Sequence, residues 1–204
     1  MAAGIMRPMR ARNALIVVLL TGAAGCSMGQ ESFFPTDTDP DPARRIPGVQ
    51  VFEETNGTHL SATERVTYAR VPPTGGPHAL AWAECTGTSY DVAVRNENMV
   101  HSLEHGAVWI AYHPEQISGA ALQALARRVQ GQPYTMLSPY PNLPAPISLQ
   151  AWGHQLRVDD PEDPRIDQFL QAMRANPYTS PEVGSPCEAF PGTFDPANPP
   201  ALGT

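Results

Sequence analysis

Two histidines lie four residues apart in the stretch ENMVHSLEHGAVWIAYH, residues 97–113. If this stretch includes a helical turn, His101 and His105 project from one face and can share a metal ion. Gly106 would end that turn, and the apolar residues after it would enter a sheet. The spacing therefore predicts a metal site where a helix meets a strand.

Two Pro-rich loops carry further ligand types. His78 ends the loop VPPTGGPH, and Met136 lies in the loop YTMLSPYPNLPAP. A thioether combined with imidazoles favours copper, especially Cu(I), whereas imidazoles alone suit zinc equally. The predicted ligands are His78, His101, His105 and Met136, with copper preferred over zinc. Glu104 and Met99 are expected just behind these ligands, where Glu104 would orient an imidazole.

The same residues admit other interpretations. Each histidine could be hydrogen-bonded within the core or a loop, and each methionine could fill a packing gap. The segment from His101 to His105 also spells HxxEH, the pattern of inverted zinc metallopeptidases, in which a glutamate activates water. That motif lies inside a long helix and needs a further acidic ligand, for which the candidates are Glu115, Asp159 and Asp160. The remaining histidines, His59, His113 and His154, have no partnered ligand nearby in sequence and are predicted to be structural or exposed.

The N-terminus has the layout of a secretory signal peptide. Three arginines precede the apolar run at residues 14–20, and no acidic residue occurs before Glu31. The run is too short to span a bilayer, and small residues precede Cys26. We predict a lipoprotein signal peptide at residues 1–25, with lipid on Cys26 as the anchor to a membrane of the cell envelope. Ser27, where aspartate would signal inner-membrane retention, slightly favours the outer membrane.

Charge and composition narrow the classes of partner. The formal net charge is −7, and removing residues 1–25 takes away three arginines and no acid, which makes it −10. Nucleic-acid binding is excluded on this basis because it depends on basic patches. The 23 prolines cluster towards the ends of the chain. We predict a Pro- and Asp-rich tether at residues 26–47, one globular domain at residues 48–187 and a flexible tail at residues 188–204.

After lipidation of Cys26, two cysteines remain, Cys85 and Cys187. Export would place them in an oxidising compartment, where a disulfide is permitted. A soft metal ligand at Cys85 and two unpaired thiols are the alternatives. The residues alone do not choose between these three states.

The periodicity predicts the elements that must position the site. Candidate strands are residues 49–53, 65–71, 90–95, 107–112 and 147–152, with a continuation through 155–158. Helical spacing covers residues 117–129 and 166–173, the second beginning after Asp163 and Pro164. The fold class expected is α+β, a single domain with a mainly antiparallel sheet, two helices and ordered Pro-rich loops.

Five segments in this order carry a family resemblance: PPTGGPH, NENMVHSLEHGAVWIAY, YTMLSPYP, AWG and SPEVGSPC. Together they resemble the bacterial domain-of-unknown-function family 3105, found in exported or membrane-tethered proteins, from Val66 to Cys187. The resemblance implies no reaction and no metal. It includes Cys187 and Cys85, which is consistent with a disulfide.

The sequence therefore predicts an exported lipoprotein that binds a transition metal for storage, sensing or delivery, with no catalysis expected. Its predicted partners are the membrane and a metal ion. One alternative is a cofactor-free envelope protein that binds another protein through an exposed patch of Tyr134, Met136, Tyr140 and Leu143. The other alternative is the zinc metallopeptidase.

Overall fold

The computed structural model describes residues 31–54, 57–61, 64–189 and 194–196, together with residues 1 and 4. Its helices and strands are, in chain order, β1 (Gln50–Val51), β2 (His59–Leu60), β3 (His78–Ala79), β4 (Thr86–Ser89), α1 (Asn96–Glu104), β5 (Val108–Tyr112), α2 (Gly119–Val129), β6 (Thr135–Pro139), β7 (Ile147–Ala151), β8 (His154–Val158) and α3 (Pro164–Met173). Cys26 and nearly all of the predicted signal peptide lie outside the described residues. Among those that are described, no helix has the length and apolar character needed to cross a membrane.

Six strands form a mixed sheet in the order β1-β8-β7-β5-β6-β4. The β1-β8, β8-β7 and β7-β5 pairs are antiparallel, whereas β5-β6 and β6-β4 are parallel. The parallel pair β5-β6 exists because α2 crosses between these strands, a connection that returns the chain in the same direction. The α+β class is thus confirmed, and the mainly antiparallel sheet is confirmed only in part.

Strand β5 divides the core into two parts. Val108, Ile110 and Tyr112 pack in a hydrophobic cluster that includes residues of α2 and α3. Trp109 and Ala111, which alternate with them, pack in a second cluster that includes residues of α1. Because alternate side chains of a strand point to opposite faces, one fully buried strand supplies both clusters. Helices therefore cover both faces of the sheet.

The structure has three helices where the sequence predicted two. Helix α1 was expected only as a possible turn around His101 and His105, because most of its buried side chains are polar. Residues 79–83 run beside α1 and supply carbonyl acceptors: Ala81 for Asn98 at 2.7 Å and Ala83 for Ser102 at 2.6 Å. Buried polar side chains are tolerated when they are paired in this way. This pairing buries the polar face of α1, while its apolar residues pack in the second cluster.

The predicted tether is partly packed into the core. Phe33, Ala43 and Ile46 are almost fully buried in the cluster that contains α3. Pro42 begins a short 3-10 turn, and the Asp41 carboxylate lies 3.1 Å from Nε2 of His154. The prediction of an extended segment up to residue 47 is therefore wrong for the described part, because three apolar side chains anchor it.

Two loop and strand assignments also change. The predicted loop at residues 134–146 contains β6, which is fully buried, and Leu143 is buried as well. The predicted strands at residues 65–71 and 90–95 are not strands, and β4 forms the end of the sheet instead. The prolines and tyrosines of this segment suggested a loop. Pro139 occupies only the last position of β6, so it does not interrupt the strand. Residues 71–77 are irregular as predicted and include a cis peptide bond before Pro72, whereas His78, the last residue of the predicted loop, begins β3.

A disulfide joins Cys85 to Cys187, with their Cα atoms 4.7 Å apart. The backbone N–H of Cys85 also donates to the carbonyl of Cys187. Of the predicted tail, only residues 188, 189 and 194–196 are described, and Phe194 packs against the second hydrophobic cluster. The disulfide attaches the segment before this tail to Cys85, the residue that directly precedes β4.

Candidate metal centre

Helix α1 ends at the site. His101 and Glu104 occupy its last turn, and His105 is the residue that caps it. Gly106 follows with a φ of +102°, a backbone conformation that favours glycine, and leads into β5. The spacing of four residues places the rings of His101 and His105 4.6 Å apart. The predicted helical turn at His101–His105, ended by Gly106 and followed by a strand, is therefore present.

Four side chains form the group that we call the inner group: His59, His78, His101 and Glu104. Their ligand atoms all lie within 4.8 Å of one another. The three imidazole rings form a nearly equilateral triangle, with centroid distances of 4.8, 4.8 and 4.9 Å. The parallel strands β2 and β3 hold His59 and His78 side by side, because these two residues are register partners.

A backbone carbonyl fixes the orientation of three of the histidines. Nδ1 of His78 lies 2.9 Å from the Gly76 oxygen, Nδ1 of His101 lies 2.7 Å from the Ala79 oxygen, and Nδ1 of His105 lies 2.8 Å from the Pro186 oxygen. A carbonyl can only accept, so each Nδ1 carries the hydrogen and each Nε2 carries a lone pair. This is the arrangement by which proteins orient metal-binding histidines.

The contact between His78 and Glu104 is unusual. Nε2 of His78 lies 3.0 Å from Oε2 of Glu104, and both atoms are buried. Neither atom has a hydrogen-bond partner among the described residues. This contact lacks hydrogen-bond geometry, so the in-plane lone pair of Nε2 is not directed at Oε2. Two buried acceptors this close, neither with a hydrogen-bond partner, are stabilised by a cation that both can reach, either a proton or a metal ion.

Burial sets the charge state of the site. It lowers the pKa of His101 to about 3 and the pKa of His78 to about 4, and it also lowers the pKa of His105. Burial, with a smaller contribution from Glu182, raises the pKa of Glu104 to about 7. The histidines are therefore neutral at physiological pH, which is the form that binds metals.

A second set of ligands shares one residue with the inner group. We call His101, His105 and Glu182 the outer group, since their ligand atoms also lie within 4.8 Å of one another. The Glu182 side chain is 49% exposed, whereas that of His78 is fully buried. The backbone N–H of Glu182 donates to the carbonyl of Glu104, which holds the segment in place. The outer group thus offers an exposed carboxylate, whereas the carboxylate of the inner group is buried.

Two tryptophans form aromatic walls around these groups. The Trp82 ring is 5.3 Å from His101 and 5.1 Å from His105, in edge-on orientations. The Trp152 ring lies 6.2 Å from His78 and belongs to the second hydrophobic cluster. Apolar walls exclude water and strengthen electrostatic interactions within the site.

Of the four predicted ligands, His101 lies with His78 in the inner group and with His105 in the outer group, and no single group contains all three. Met136 instead lies in β6 among the apolar side chains of the second cluster, and Met99 belongs to the same cluster. Glu104 is part of the ligand group itself rather than a residue behind it. Of the other histidines, His154 pairs with Asp41, and His113 accepts a hydrogen bond from the backbone of Glu115.

Two members of the groups were missed. His59 was predicted to be structural or exposed, and its side chain is indeed 38% exposed, but it also completes the triangle of rings. Glu182 was not considered. The family resemblance covered the segment SPEVGSPC, so a search of that segment for carboxylates would have found Glu182. No comparable sequence signal marks His59, which reaches the site only through the pairing of β2 with β3.

The inner group has the composition and size of a transition-metal site. Tetrahedral ligands at 2.0–2.2 Å from a metal ion are about 3.3 Å apart. The His78–Glu104 pair is close to this separation, and the other ligand atoms lie within 4.8 Å of one another, so they would move closer together to bind one ion. Three imidazoles and one carboxylate suit zinc and copper(II).

Gly57 lies directly against the Glu104 carboxylate, and an added Cβ would overlap Oε1. The Gly57→Ala variant is therefore expected to push Glu104 aside and to weaken metal binding about tenfold, as is typical when a ligand loses its orientation. Titration of purified protein with Zn²⁺ against a competing chelator measures this change. An unchanged affinity, in a variant whose unfolding midpoint shows an intact fold, would contradict the assignment of Glu104 as a ligand.

Compared with known families, the chain matches over residues 59–189 the family described as a protein of unknown function, DUF3105. Every side chain of the inner and outer groups lies within that range. No curated protein and no solved structure matches the chain.

Proposed function

We propose that this chain, which belongs to the DUF3105 family, binds one transition-metal ion through the inner group. The observation that carries the proposal is the 3.0 Å approach of His78 Nε2 to Glu104 Oε2, two buried atoms without hydrogen-bond partners among the described residues. A metal ion that binds both atoms would give each of them the partner that it lacks. His59 and His101 complete a four-ligand set around the same point.

The donor set favours a divalent ion. The prediction of Cu(I) depended on the sulfur of Met136 as a ligand. That side chain packs in the hydrophobic core instead. Imidazole and carboxylate ligands bind Cu²⁺ and Zn²⁺, and Cu²⁺ binds more tightly at most sites of this type. We therefore propose copper before zinc on the basis of the general affinity order, with both ions in their divalent states.

Holding the ion, rather than catalysis, is the role that the geometry supports. Four protein ligands fill a tetrahedral site, whereas catalytic zinc sites keep one position open for water. In the peptidase interpretation, Glu104 would be a general base that leaves the metal to other ligands. Its carboxylate instead lies among the ligand atoms, 3.0 Å from His78. We propose storage, sensing or delivery as the function.

The location of the protein remains a proposal from the sequence: an exported lipoprotein anchored through Cys26, with the outer membrane slightly favoured. The disulfide between Cys85 and Cys187 supports export, because such bonds persist in oxidising compartments.

The protein-binding alternative required an exposed patch formed by Tyr134, Met136, Tyr140 and Leu143. Met136 and Leu143 are buried, and both tyrosines are partly buried against the second hydrophobic cluster. The exposed patch that would have favoured this alternative is therefore not formed by these four residues, which supports the metal-binding proposal over it.

The central test is a metal titration with two histidine variants. The purified protein is expected to bind one equivalent of Zn²⁺ or Cu²⁺, and His101→Ala is expected to lose at least about 100-fold in affinity, since a direct ligand contributes more than the residues that orient it. His113→Ala is the matched control, because His113 lies outside both groups. Isothermal titration and competition with a chelator give stoichiometry and affinity. Equal binding by the two variants would refute the proposed site.

A further inference from the structure

His101 belongs to both ligand groups, yet it has one nitrogen to offer. Its Nδ1 is engaged by the Ala79 carbonyl at 2.7 Å, which leaves only Nε2 for a metal. A neutral imidazole nitrogen with one lone pair forms one coordinate bond. The inner and outer groups therefore cannot both use His101 at the same time, and the two groups are alternative positions for a single ion.

The two groups differ in which ligand reaches solvent. In the inner group the exposed ligand is a neutral imidazole, since the His59 side chain is 38% exposed while the Glu104 carboxylate is buried. Gly57 lies over the Glu104 carboxylate, and the carbonyl of Thr58 accepts a hydrogen bond from the backbone of His78. The outer group opens towards solvent through Glu182, whose side chain is half exposed and 3.9 Å from Nε2 of His105. The anionic ligand that an incoming cation can reach is therefore that of the outer group.

The outer group also has the ligands expected of a transient cation-binding site. It offers two imidazoles and one carboxylate, one ligand fewer than the inner group. The exposed carboxylate attracts cations and raises their local concentration, which accelerates association. The Trp82 ring contacts the rings of both His101 and His105, so a cation bound between these two imidazoles lies next to an aromatic ring.

We infer that His105 and Glu182 form a transient binding site, which we call the way station. A divalent transition-metal ion passes through it to and from the inner group and stays bound to His101. In each transfer, the ion keeps its bond to Nε2 of His101. The bonds to His105 and Glu182 break as bonds to His78, Glu104 and His59 form. No electron is transferred, and Glu104 binds as the carboxylate, so any proton on it passes to solvent. This inference rests on the proposed metal-binding function and specifies how the ion is loaded and released.

A way station has a kinetic signature that differs from that of a ligand in the resting site. Removing an intermediate raises the barrier in both directions, so the association and dissociation rate constants fall together and Kd stays unchanged. Removing a ligand of the resting site raises Kd instead. The two roles are therefore separable with one set of measurements.

The experiment follows Zn²⁺ loading by stopped-flow mixing and Zn²⁺ release into an excess of a chromophoric chelator. The double variant His105→Ala/Glu182→Gln is expected to load and release about tenfold more slowly than the parent, the lower end of the effect of electrostatic steering. Its Kd is expected to match that of the parent. His113→Ala/Glu115→Gln is the matched control, since it removes an imidazole and a charge from another contacting pair. His78→Ala is expected to raise Kd.

The single variant Glu182→Gln is a second test for the case in which the double variant misfolds. The Glu182 side chain is half exposed, so its replacement is expected to leave the fold intact. It is expected to slow both rates in the same proportion, by a smaller factor than the double variant. Unchanged rates in both variants, or a raised Kd with an unchanged association rate, would overturn the way station while leaving the metal site intact. A parent protein that binds no Zn²⁺ would instead overturn the proposed function and the way station together.

Discussion

Replacing Glu104 with glutamine is expected to stabilise the metal-free protein and to weaken its binding of Zn²⁺ by at least about 100-fold, since even residues that only orient ligands contribute 10–100-fold. The glutamine amide can donate a hydrogen bond to Nε2 of His78, where the carboxylate presents a lone pair. A new buried hydrogen bond contributes about 1 kcal/mol to the free energy of unfolding. The same change removes an anionic ligand. Stability without metal and affinity for metal should therefore change in opposite directions.

Urea unfolding with and without Zn²⁺ measures both effects. In the parent, Zn²⁺ at 100 times Kd is expected to add about 2.7 kcal/mol to the free energy of unfolding, because the ion binds only the folded state. In Glu104→Gln, the same Zn²⁺ concentration should add much less. The metal-free variant should nevertheless unfold at a higher urea concentration than the metal-free parent.

Glu97 offers a matched control on the same helix. Its carboxylate is buried like that of Glu104, but it accepts a hydrogen bond from the backbone of Val66 at 2.9 Å and lies beside Arg95. Glu97→Gln is therefore expected to lower stability and to leave the affinity for Zn²⁺ unchanged. If Glu104→Gln behaved in the same way as Glu97→Gln, the Glu104 carboxylate would be a structural acceptor and not a metal ligand.

Glu104 is one of several described residues with a buried polar atom that lacks a hydrogen-bond partner. On the same helix, Asn98 and Ser102 donate to carbonyls of residues 79–83, although Oδ1 of Asn98 also lacks a partner. Local choices that oppose stability are expected at functional sites, where a ligand supplies the missing interaction. Glu104 differs from Asn98 because its unpartnered oxygen lies 3.0 Å from a second unpartnered atom, Nε2 of His78.

Part of the site could be predicted from the sequence because its signals are local. The spacing of His101 and His105 depends only on one helical turn, and the irregular loop that ends at His78 was marked by prolines and glycines. The apolar spacing of α2 and α3 identified both helices for the same reason. In each case, a pattern within a dozen residues determines the local structure.

The remainder depends on contacts between distant parts of the chain. Glu182 lies 77 to 81 positions after the histidines it approaches, and His59 reaches them only through a two-residue parallel pairing. Met136 was predicted as a ligand because its residue type suits copper, although β6 buries it in the core. Phe33 and Ile46 show the same limit, since a Pro- and Asp-rich composition concealed the apolar side chains that anchor this segment. Composition and spacing do not encode these long-range packing choices.

The disulfide links stability to the outer group. Replacing both cysteines, in Cys85→Ser/Cys187→Ser, is expected to lower the free energy of unfolding by about 3–4 kcal/mol, because the bond closes a long loop and restricts the unfolded chain. The two residues are 102 positions apart. Urea unfolding of the oxidised parent and of the double variant measures the loss. The parent treated with a reductant is the matched control and should unfold like the variant. Equal stability of the oxidised and reduced parent would contradict the presence of this bond in the folded protein.

The same variant should affect the kinetics of metal loading more than the affinity. Residues 182–187 carry the Glu182 carboxylate and the Pro186 carbonyl that orients His105, and Cys187 is their covalent attachment to the body of the domain. None of the four inner ligands lies in this segment. Loss of the disulfide is therefore expected to slow Zn²⁺ loading and release as His105→Ala/Glu182→Gln does, with a smaller effect on Kd. A loss of affinity as large as that of His78→Ala would instead show that the inner group depends on this segment for its structure.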